Sequence, residues 1–252
     1  MTIFRHTRDL LLFTVGLLAL WQVLHLIAGD VAITAPLPTL EHMVKMVSNP
    51  RFLPNLYETS LAFLFAVMIA WGLGLLIGIT LGGYKFAGRV AEPLLVALYS
   101  IPKITLYPVI LLLFGLGMDA KVAFGAFHGI IPVALFTMNA VKNVNRTYIR
   151  TGQVLRLNPW QQVRHILLPA TLPEIFTGLR IGFSLTLLGT MLGELFASQR
   201  GLGFLLMTAI ELHEVKTILS IAVFVSVFAV LSSGALLAID RYLRRGAAVS
   251  TT

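Results

Sequence analysis

Lys103 stands near the middle of an otherwise uncharged stretch, residues 93–118, which is long enough to cross a membrane. Placing an ammonium group at that depth costs about 3 kcal/mol on insertion scales, so a charge there usually has a function. Pro102 and Pro108 interrupt the same helix and free backbone groups, which are tolerated beside a cavity or neighbouring helices. Its polar neighbours are Tyr99, Ser100, Thr105 and Tyr107. Together they predict a translocation pathway or gate suited to an anion. An equally weighted alternative is a Lys103 that pairs with a carboxylate or extends to the membrane surface.

Residues for other kinds of chemistry are missing from the sequence. There is no cysteine, which excludes disulfides, thiolate metal sites and cysteine nucleophiles. No histidine and carboxylate set has metal-ligand spacing, and no serine and histidine are arranged as nucleophile and base. The phosphate-binding pattern Gly-x4-Gly-Lys-Ser/Thr is also absent. The sequence therefore predicts a protein that is not an enzyme, holds no metal or cofactor, and does not hydrolyse ATP by itself.

Glu194 ends a second apolar stretch, residues 175–193, which contains Arg180 close to one end. Polar side chains at Ser184, Thr186 and Thr190 precede it by one to three helical turns. Carboxylates at the end of a membrane span are usually solvated, and we expect Glu194 to lie at the outer surface in contact with water.

Composition indicates what solvent surrounds these groups. The chain has 252 residues, of which 57% are hydrophobic and only 12% are charged, whereas soluble domains carry about a quarter charged residues. Most of its surface must therefore face lipid. The net charge of +8 is explained by basic loops on one side of a membrane, and it does not require a nucleic acid partner. No repeat or linker interrupts residues 1–252, which are expected to form a single transmembrane domain.

Six segments are predicted to span the membrane, which makes the fold all-α and polytopic. At about 1.5 Å per residue, each can cross a hydrocarbon core of about 30 Å. The first is interpreted as a retained helix because it is longer than the apolar part of a cleaved signal. The spans are residues 10–28, 59–84, 93–118, 122–141, 175–193 and 217–239. Residues 39–48, between the first two spans, read as a short amphipathic helix on the outer membrane surface.

The distribution of lysine and arginine predicts the orientation of the chain in the membrane. With the N-terminus in the cytoplasm, 12 of the 19 basic residues lie in cytoplasmic segments and 5 lie outside. The cytoplasmic residues are Arg5, Arg8, Lys85, Arg89, Lys142, Arg146, Arg150, Arg156, Arg164, Arg241, Arg244 and Arg245. The outer residues are Lys45, Arg51, Lys121, Arg200 and Lys216. We therefore expect both termini in the cytoplasm.

One long cytoplasmic segment, residues 142–174, connects the fourth and fifth spans. Residues 146–157 suit a short helix. Asn158, Pro159 and Gln161 then provide an N-cap, a proline at the first helical position and the third residue of a capping box. Pro169 is expected to stop this second helix. The pattern predicts a rigid helix–turn–helix structure rather than a tether.

The same segment resembles the cytoplasmic motif of bacterial ABC importer permeases, Glu-Ala-Ala-x3-Gly-x9-Ile-x-Leu-Pro. Ile166, Leu168 and Pro169 match its distal part. The proximal part departs from it, because Arg150-Thr151-Gly152 stands for Glu-Ala-Ala and Arg156 stands for the glycine. The sequence is most similar to permeases of the nitrate, sulfonate and taurine type. The blocks that carry this likeness are Ile101-Pro102-Lys103-Ile104 with Pro108, Phe114–Gly117, Leu168–Ala170, Pro173–Gly182, Gly193-Glu194 and Arg200–Phe204.

The resemblance implies a type I ABC importer permease in the bacterial inner membrane. Such permeases pair with a second permease subunit, here expected to be an identical copy. Two cytoplasmic ATPase subunits bind ATP and grip a coupling helix on each permease, and a periplasmic solute-binding protein delivers the substrate. The contact residues for the ATPase would be Arg150, Thr151, Gly152, Gln153, Leu155, Arg156, Leu157, Asn158 and Trp160. Alternating access driven by ATP would then move a small, anionic solute.

Two other functions were weighed. A secondary transporter would usually show inverted repeats and intramembrane acidic residues, whereas the mid-span charge here is a lysine. An intramembrane enzyme would need paired catalytic residues at membrane depth, and the sequence offers none. Within the resembled family, the solute could be nitrate, a sulfonate, taurine, an aliphatic or aromatic acid, or a thiamine precursor.

Overall fold

Apolar segments fold into helices in a membrane because only internal hydrogen bonds can satisfy their backbone. The computed structural model describes the backbone of residues 2–249, and the side chains in that range except residues 2–7, 10, 159, 197 and 242–249. Arg5, Arg244 and Arg245, counted above as cytoplasmic charges, have side chains outside that set. The described chain contains helices and no β-strand, which confirms the all-α prediction.

The helices follow one another with short connections. In chain order they are α1 (Thr2–Ala28), α2 (Pro36–Val47), α3 (Phe52–Gly83), α4 (Lys85–Ser100), a 3-10 turn (Lys103–Leu106), α5 (Tyr107–Phe114), α6 (Met118–Lys142), α7 (Arg146–Val154), α8 (Pro159–Gln162), a π-helical turn (Val163–Leu167), α9 (Leu168–Ala197), α10 (Leu202–Glu211) and α11 (Val215–Val249). Among them, α10 was not predicted, since the segment around it was expected to be an outer loop.

Five helices of the described chain are long and apolar enough to cross a membrane. α4, the 3-10 turn and α5 form a pair bent by 90° at its break, and counting this pair as one span gives the predicted six. Pro102 lies at this break and Pro108 lies in the first turn of α5; the missing N–H groups and the ring of proline disfavour a continuous helix through this region. We call the end of the bundle that carries α7 and α8 the inner end, and the opposite end the outer end.

Helices α3, α6 and α9 form the centre of the bundle, and glycine lets them approach closely. A Cβ atom added at Gly74 would lie 2.6 Å from Cβ of Val133, and one at Gly78 would lie 2.5 Å from Cβ of Thr137. Small residues at helix crossings are typical of membrane proteins, where packing rather than the hydrophobic effect joins helices. The Gly74, Gly78 and Gly82 spacing therefore serves helix packing.

The first span lies at the edge of the bundle. None of the span Leu11–Ala28 is buried, and α1 is joined to the rest by its outer end, where Trp21 Nε1 donates to the carbonyl of Thr34 at 3.0 Å. Helix α2 lies beside α11, and Ser220 Oγ donates to the carbonyl of Thr39 at 3.1 Å. The amphipathic segment predicted between the first two spans is thus a helix that packs on the bundle.

Two expectations about the inner segment were wrong. The first helix ends at Val154 rather than residue 157, because Arg156 adopts a left-handed conformation with φ of 50°. Pro169 does not stop the second helix, since the chain stays helical through Trp160–Phe196. The π turn shifts the hydrogen-bond register immediately before Leu168, and Pro169 sits in the first turn of α9, where its missing N–H costs little.

Candidate functional site

The inner end carries a compact pair of short helices, which we call the inner unit: α7, the turn 155–158 and α8. Asn145 caps α7 by accepting a hydrogen bond from the backbone N–H of Thr147 at 2.9 Å. At the start of α8, the N–H of Gln161 donates to Oδ1 of Asn158 at 2.8 Å, and the N–H of Asn158 donates to Oε1 of Gln161 at 3.0 Å. The predicted capping box is therefore present, and both helices begin at sequence-encoded caps.

The two helices of the inner unit hold each other directly. The N–H of Leu157 donates to the carbonyl of Gly152 at 3.0 Å, and Nε2 of Gln162 donates to the carbonyl of Ile149 at 3.3 Å. Gly152 is buried, and a Cβ added there would lie 3.0 Å from Cγ of Gln162. The turn between the helices is tight enough to require the left-handed conformation at Arg156. That position corresponds to the glycine of the motif that this segment resembles, and glycine adopts such a conformation without strain.

The inner unit presents exposed apolar side chains among arginines. Val154 is 81% exposed, Leu155 61% and Trp160 69%. Of the other residues predicted to meet an ATPase, Arg150, Thr151, Gln153, Arg156 and Asn158 are exposed, Leu157 is half-buried and Gly152 is buried. An apolar surface of this kind on a rigid, internally bonded unit is typical of a protein contact.

The bend between α4 and α5 holds Lys103. Its side chain is only 9% exposed, and its Nζ donates to the carbonyl of Tyr99 at 3.1 Å and lies 5.2 Å from the centre of the Tyr99 ring. Ion pairs in the described part of the chain involve other residues, and none of them neutralises Lys103. The Lys103 ammonium group is thus held by a carbonyl and a ring rather than by a described carboxylate, and it can pair with an anion.

The remaining pathway candidates do not gather around Lys103. Ser100 Oγ donates to the carbonyl of Val96 at 3.0 Å, and Thr105 Oγ1 donates to the carbonyl of Pro102 at 2.8 Å. Both residues are exposed. Tyr107 is buried, and its hydroxyl donates to the carbonyl of Gly193 at 2.6 Å. The structure therefore brings together Tyr99 and Lys103, leaves two hydroxyls on an open face, and turns Tyr107 into the core.

A buried group of charges at the outer end was missed from the sequence. We call it the outer cluster: Glu58, Thr59, Lys121, Glu194 and the turn 200–203. Lys121 Nζ donates to Oε1 of Glu58 at 3.0 Å and lies 3.7 Å from Oε1 of Glu194. The Thr59 hydroxyl donates to the Glu194 carboxylate, 2.7 Å from Oε2. Glu194 is fully buried and Lys121 is 1% exposed.

This arrangement contradicts two expectations. Glu194 is not a solvated surface carboxylate, because an ammonium, a hydroxyl and a backbone N–H surround it inside the protein. Lys121 does not lie in an outer loop but in the first turn of α6, where it is buried at the outer end of the bundle. A sequence signal existed, since Glu58, Lys121 and Glu194 each sit at the outer end of a predicted span. Opposite charges at the same depth on three spans can pair.

An open cavity of about 650 Å³ lies beside the outer cluster. Its walls come from the turn before α6, the end of α9 and one face of α10. They include Glu58, Arg200, Phe204, Met207 and Glu211. Charged and apolar groups are therefore mixed on this outer surface. In the described part of the chain, no group of three or more histidine, aspartate or glutamate side chains could hold a metal ion.

Comparison with known proteins agrees with these features. The family described as "Binding-protein-dependent transport system inner membrane component" matches residues 70–246. The chain is 28% identical over 214 residues to a putative aliphatic sulfonates transport permease of Bacillus subtilis, covering 82% of this chain and 76% of that one. It is also 28% identical over 213 residues to the taurine transport permease of Escherichia coli, covering 82% and 78%.

The fold also has a solved counterpart. A chain from the inward-facing MetNI methionine ABC transporter superposes with a TM-score of 0.62 at 20% identity, covering 81% of this chain and 98% of that one. The fold is thus that of a type I importer permease. Proteins of the matched family are transport subunits rather than enzymes, and the family profile covers well over half of this chain. The chain therefore belongs to the inner membrane components of binding-protein-dependent ABC importers and is a multi-pass membrane permease.

Proposed function

We propose that this chain is the membrane-spanning subunit of an ATP-driven importer and that the inner unit receives the push from an ATPase on another chain. The observation that carries the proposal is the inner unit itself, in which exposed Leu155 and Trp160 sit on two capped helices that hold each other. Such a surface in water would be unfavourable without a partner. Membership of the importer family supplies the kind of partner.

The charge of the inner unit defines the partner's surface. Between Asp119 and Glu174 the sequence contains no acidic residue, whereas Arg146, Arg150 and Arg156 lie on or beside α7. Arginine forms strong two-pronged hydrogen bonds with carboxylates. The matching surface of the ATPase should therefore carry an apolar pocket rimmed by aspartate or glutamate. ATP binds on that partner, so no cofactor is assigned to this chain.

The remaining parts of the assembly follow the family. We propose a homodimer of this chain, two ATPase subunits below it and a periplasmic solute-binding protein above it, in a bacterial inner membrane with both termini cytoplasmic. Supporting the orientation, the basic residues predicted as cytoplasmic outnumber the outer ones. Substrate would cross by alternating access, with residues of the α4–α5 bend along the pathway.

The solute is proposed to be a small molecule or ion that carries a negatively charged group, such as a sulfonate, taurine or nitrate. Lys103 is a nearly buried cation without an ion-pair partner among the described residues, at the break of a span. The sulfonate and taurine permeases that resemble this chain carry substrates with a negatively charged group. A secondary transporter that uses no ATP stays the alternative, and the first experiment below distinguishes the two.

The first experiment tests coupling. Leu155→Asp puts a charge into the proposed apolar contact, and Arg156→Glu reverses a charge at its rim, so together they should prevent co-purification of the ATPase. Solute-stimulated ATP hydrolysis should fall to the unstimulated level. Arg164→Glu, outside the proposed contact, is the charge-matched control. Wild-type assembly and stimulation in the double variant would contradict coupling through the inner unit.

The second experiment tests the pathway. Lys103→Ala should reduce uptake of an anionic solute on the order of tenfold or more, the scale of one lost charge-assisted contact, while the complex still assembles. Lys103→Arg keeps the positive charge and should retain part of the uptake. Unchanged uptake in Lys103→Ala at wild-type abundance would show that the lysine is structural.

A further inference from the structure

Side chains of the outer cluster, together with Asn55, form hydrogen bonds with the backbone of the four residues 200–203. Lys121 Nζ donates to the carbonyl of Arg200 at 3.0 Å, and the N–H of Gly201 donates to Oδ1 of Asn55 at 2.9 Å. The N–H groups that follow donate to Thr59 Oγ1 at 2.7 Å and to Glu194 Oε2 at 2.9 Å. The turn 200–203 is therefore held by three helices together: α3 provides Asn55 and Thr59, α6 provides Lys121, and α9 provides Glu194.

The charges of the outer cluster depend on one another. Two carboxylates share a single ammonium group, and only Glu58, whose side chain is 25% exposed, has access to water. Removing the ammonium would leave Glu194 buried against Glu58 with no cation between them. A buried charge that loses its partner is strongly destabilising, whereas removing both charges of a pair is often tolerated.

The turn can occupy only one position. A Cβ added at Gly201 would lie 2.3 Å from the Glu194 carboxylate, and one at Gly203 would lie 2.5 Å from Cβ of Glu194. Gly201 also has φ of 123°, which L-residues with a side chain rarely adopt. The backbone of the turn thus sits directly on the carboxylate, and any shift away breaks several hydrogen bonds at once.

We propose that Lys121 and Glu194 are positioning residues that latch the turn 200–203, and with it α10, onto the outer ends of the three central helices. The latch sets the outer wall of the 650 Å³ cavity, because Phe204, Met207 and Glu211 on α10 line it. The turn is either fully bound or released, because its release removes the backbone partners of the Glu194 carboxylate, the Lys121 ammonium group and two side-chain oxygens together. This inference does not rest on the proposed function.

The absence of cysteine allows a direct test in full-length chains in membrane vesicles. Ala209→Cys places a single thiol on α10 at a site that is 2% exposed. Its rate of reaction with a water-soluble maleimide reports how often α10 leaves its seat. Gln199→Cys, at an exposed position, gives the rate for an open site, and each rate is normalised to the amount of chain labelled after denaturation.

In the Ala209→Cys background, Lys121→Met should raise the labelling rate on the order of tenfold, because it leaves two carboxylates without a cation. Adding Glu194→Gln to the same chain should bring the rate back to within about threefold of the parent, since both members of the pair are then neutral. If Lys121 only fills space, adding Glu194→Gln should not lower the labelling rate, because a second substitution in the core would then destabilise the turn further.

Thr59→Val provides a second route if Lys121→Met does not accumulate in the membrane. It removes the hydroxyl that donates to Glu194 and accepts from the N–H of Leu202, and it should also raise the labelling rate. Glu211→Gln, on the same cavity but outside the latch, should leave the rate unchanged. Parent-like labelling in both Lys121→Met and Thr59→Val, or a double variant that labels faster than Lys121→Met, would overturn the proposal.

Discussion

The two ends of the bundle are both rigid, but their rigidity has different sources. The turn 200–203 at the outer end is fixed by side chains from α3, α6 and α9, and its central charges are buried. The inner unit is fixed by its own caps and by bonds between α7 and α8. Its apolar residues Val154, Leu155 and Trp160 are exposed. One end is therefore part of the core, and the other is a separate body attached to it.

This difference indicates where each end can move. The outer turn can leave only by breaking a charged network, so it should follow the central helices. A displacement of the inner unit would leave its internal bonds intact, because those bonds lie within α7, the turn 155–158 and α8, and the unit continues into α9 through a π turn. π-helical turns interrupt the regular hydrogen-bond ladder and are frequent at functional sites.

A first way to test the comparison is to add one methyl group at the outer turn. Gly201→Ala would place Cβ 2.3 Å from the Glu194 carboxylate, at φ of 123°. Strain and overpacking together should cost about 3 kcal/mol or more, and the purified protein should melt about 10 °C lower. Thermal unfolding in detergent measures this. Gly72→Ala, which meets no atom within 4 Å, is the matched control, and equal melting of the two variants would refute a tightly seated turn.

Removing a helix cap in the inner unit should destabilise the protein less than Gly201→Ala does, and only within the inner unit. Asn145→Ala removes the side chain that accepts from the N–H of Thr147, at a cost of about 1 kcal/mol, or about fivefold in the population of the frayed helix. Cleavage by chymotrypsin near Tyr148 should accelerate by that factor. The melting temperature of the bundle should stay the same. Asn143→Ala is the control, and a large fall in the global melting temperature would show that the inner unit is not a separate body.

The smallest change in the rate of cleavage is expected at Arg156, and whether the rate rises or falls is informative. Arg156→Gly relieves a left-handed conformation, and the gain of about 1 kcal/mol is partly offset by the freedom of glycine in the unfolded chain. Chymotrypsin cleavage of the inner unit should be slightly slower than in the parent. Arg150→Gly makes the same change inside α7 and should accelerate cleavage, because glycine weakens a helix by about 1 kcal/mol. Two changes of the same sign would argue against the turn geometry.

Local signals in the sequence predicted much of the inner end. The capping box needs only Asn158 and Gln161, three residues apart, and both of its hydrogen bonds are present. The number of spans followed from the lengths of uncharged segments. The extent of the second inner helix could not be predicted in this way. A proline ends a helix or begins one according to the turn before it, and no residue type identifies a π turn.

The outer cluster depended on contacts across the whole chain. Thr59 and Glu194 are 135 positions apart, and Glu194 is adjacent in sequence to apolar residues that indicate only the end of a span. Whether such a carboxylate meets water or an ammonium depends on how three helices are aligned in depth. Lys103 shows a related limit. The sequence indicated several polar residues near it, but it could not indicate the directions in which their side chains point. Ser100, Thr105 and Tyr107 accordingly point to different surroundings.

The continuous helix through Trp160–Phe196 joins the two ends. Its 37 residues make a rod of about 55 Å at 1.5 Å per residue. Glu194 lies near one end of this rod, and α8 of the inner unit forms the other end. A tilt of about 5° about one end would displace the opposite end by about 5 Å over that length. If the outer end is held by the proposed latch, a push on the inner unit would therefore tilt the whole rod about the outer cluster and displace the inner unit by that distance.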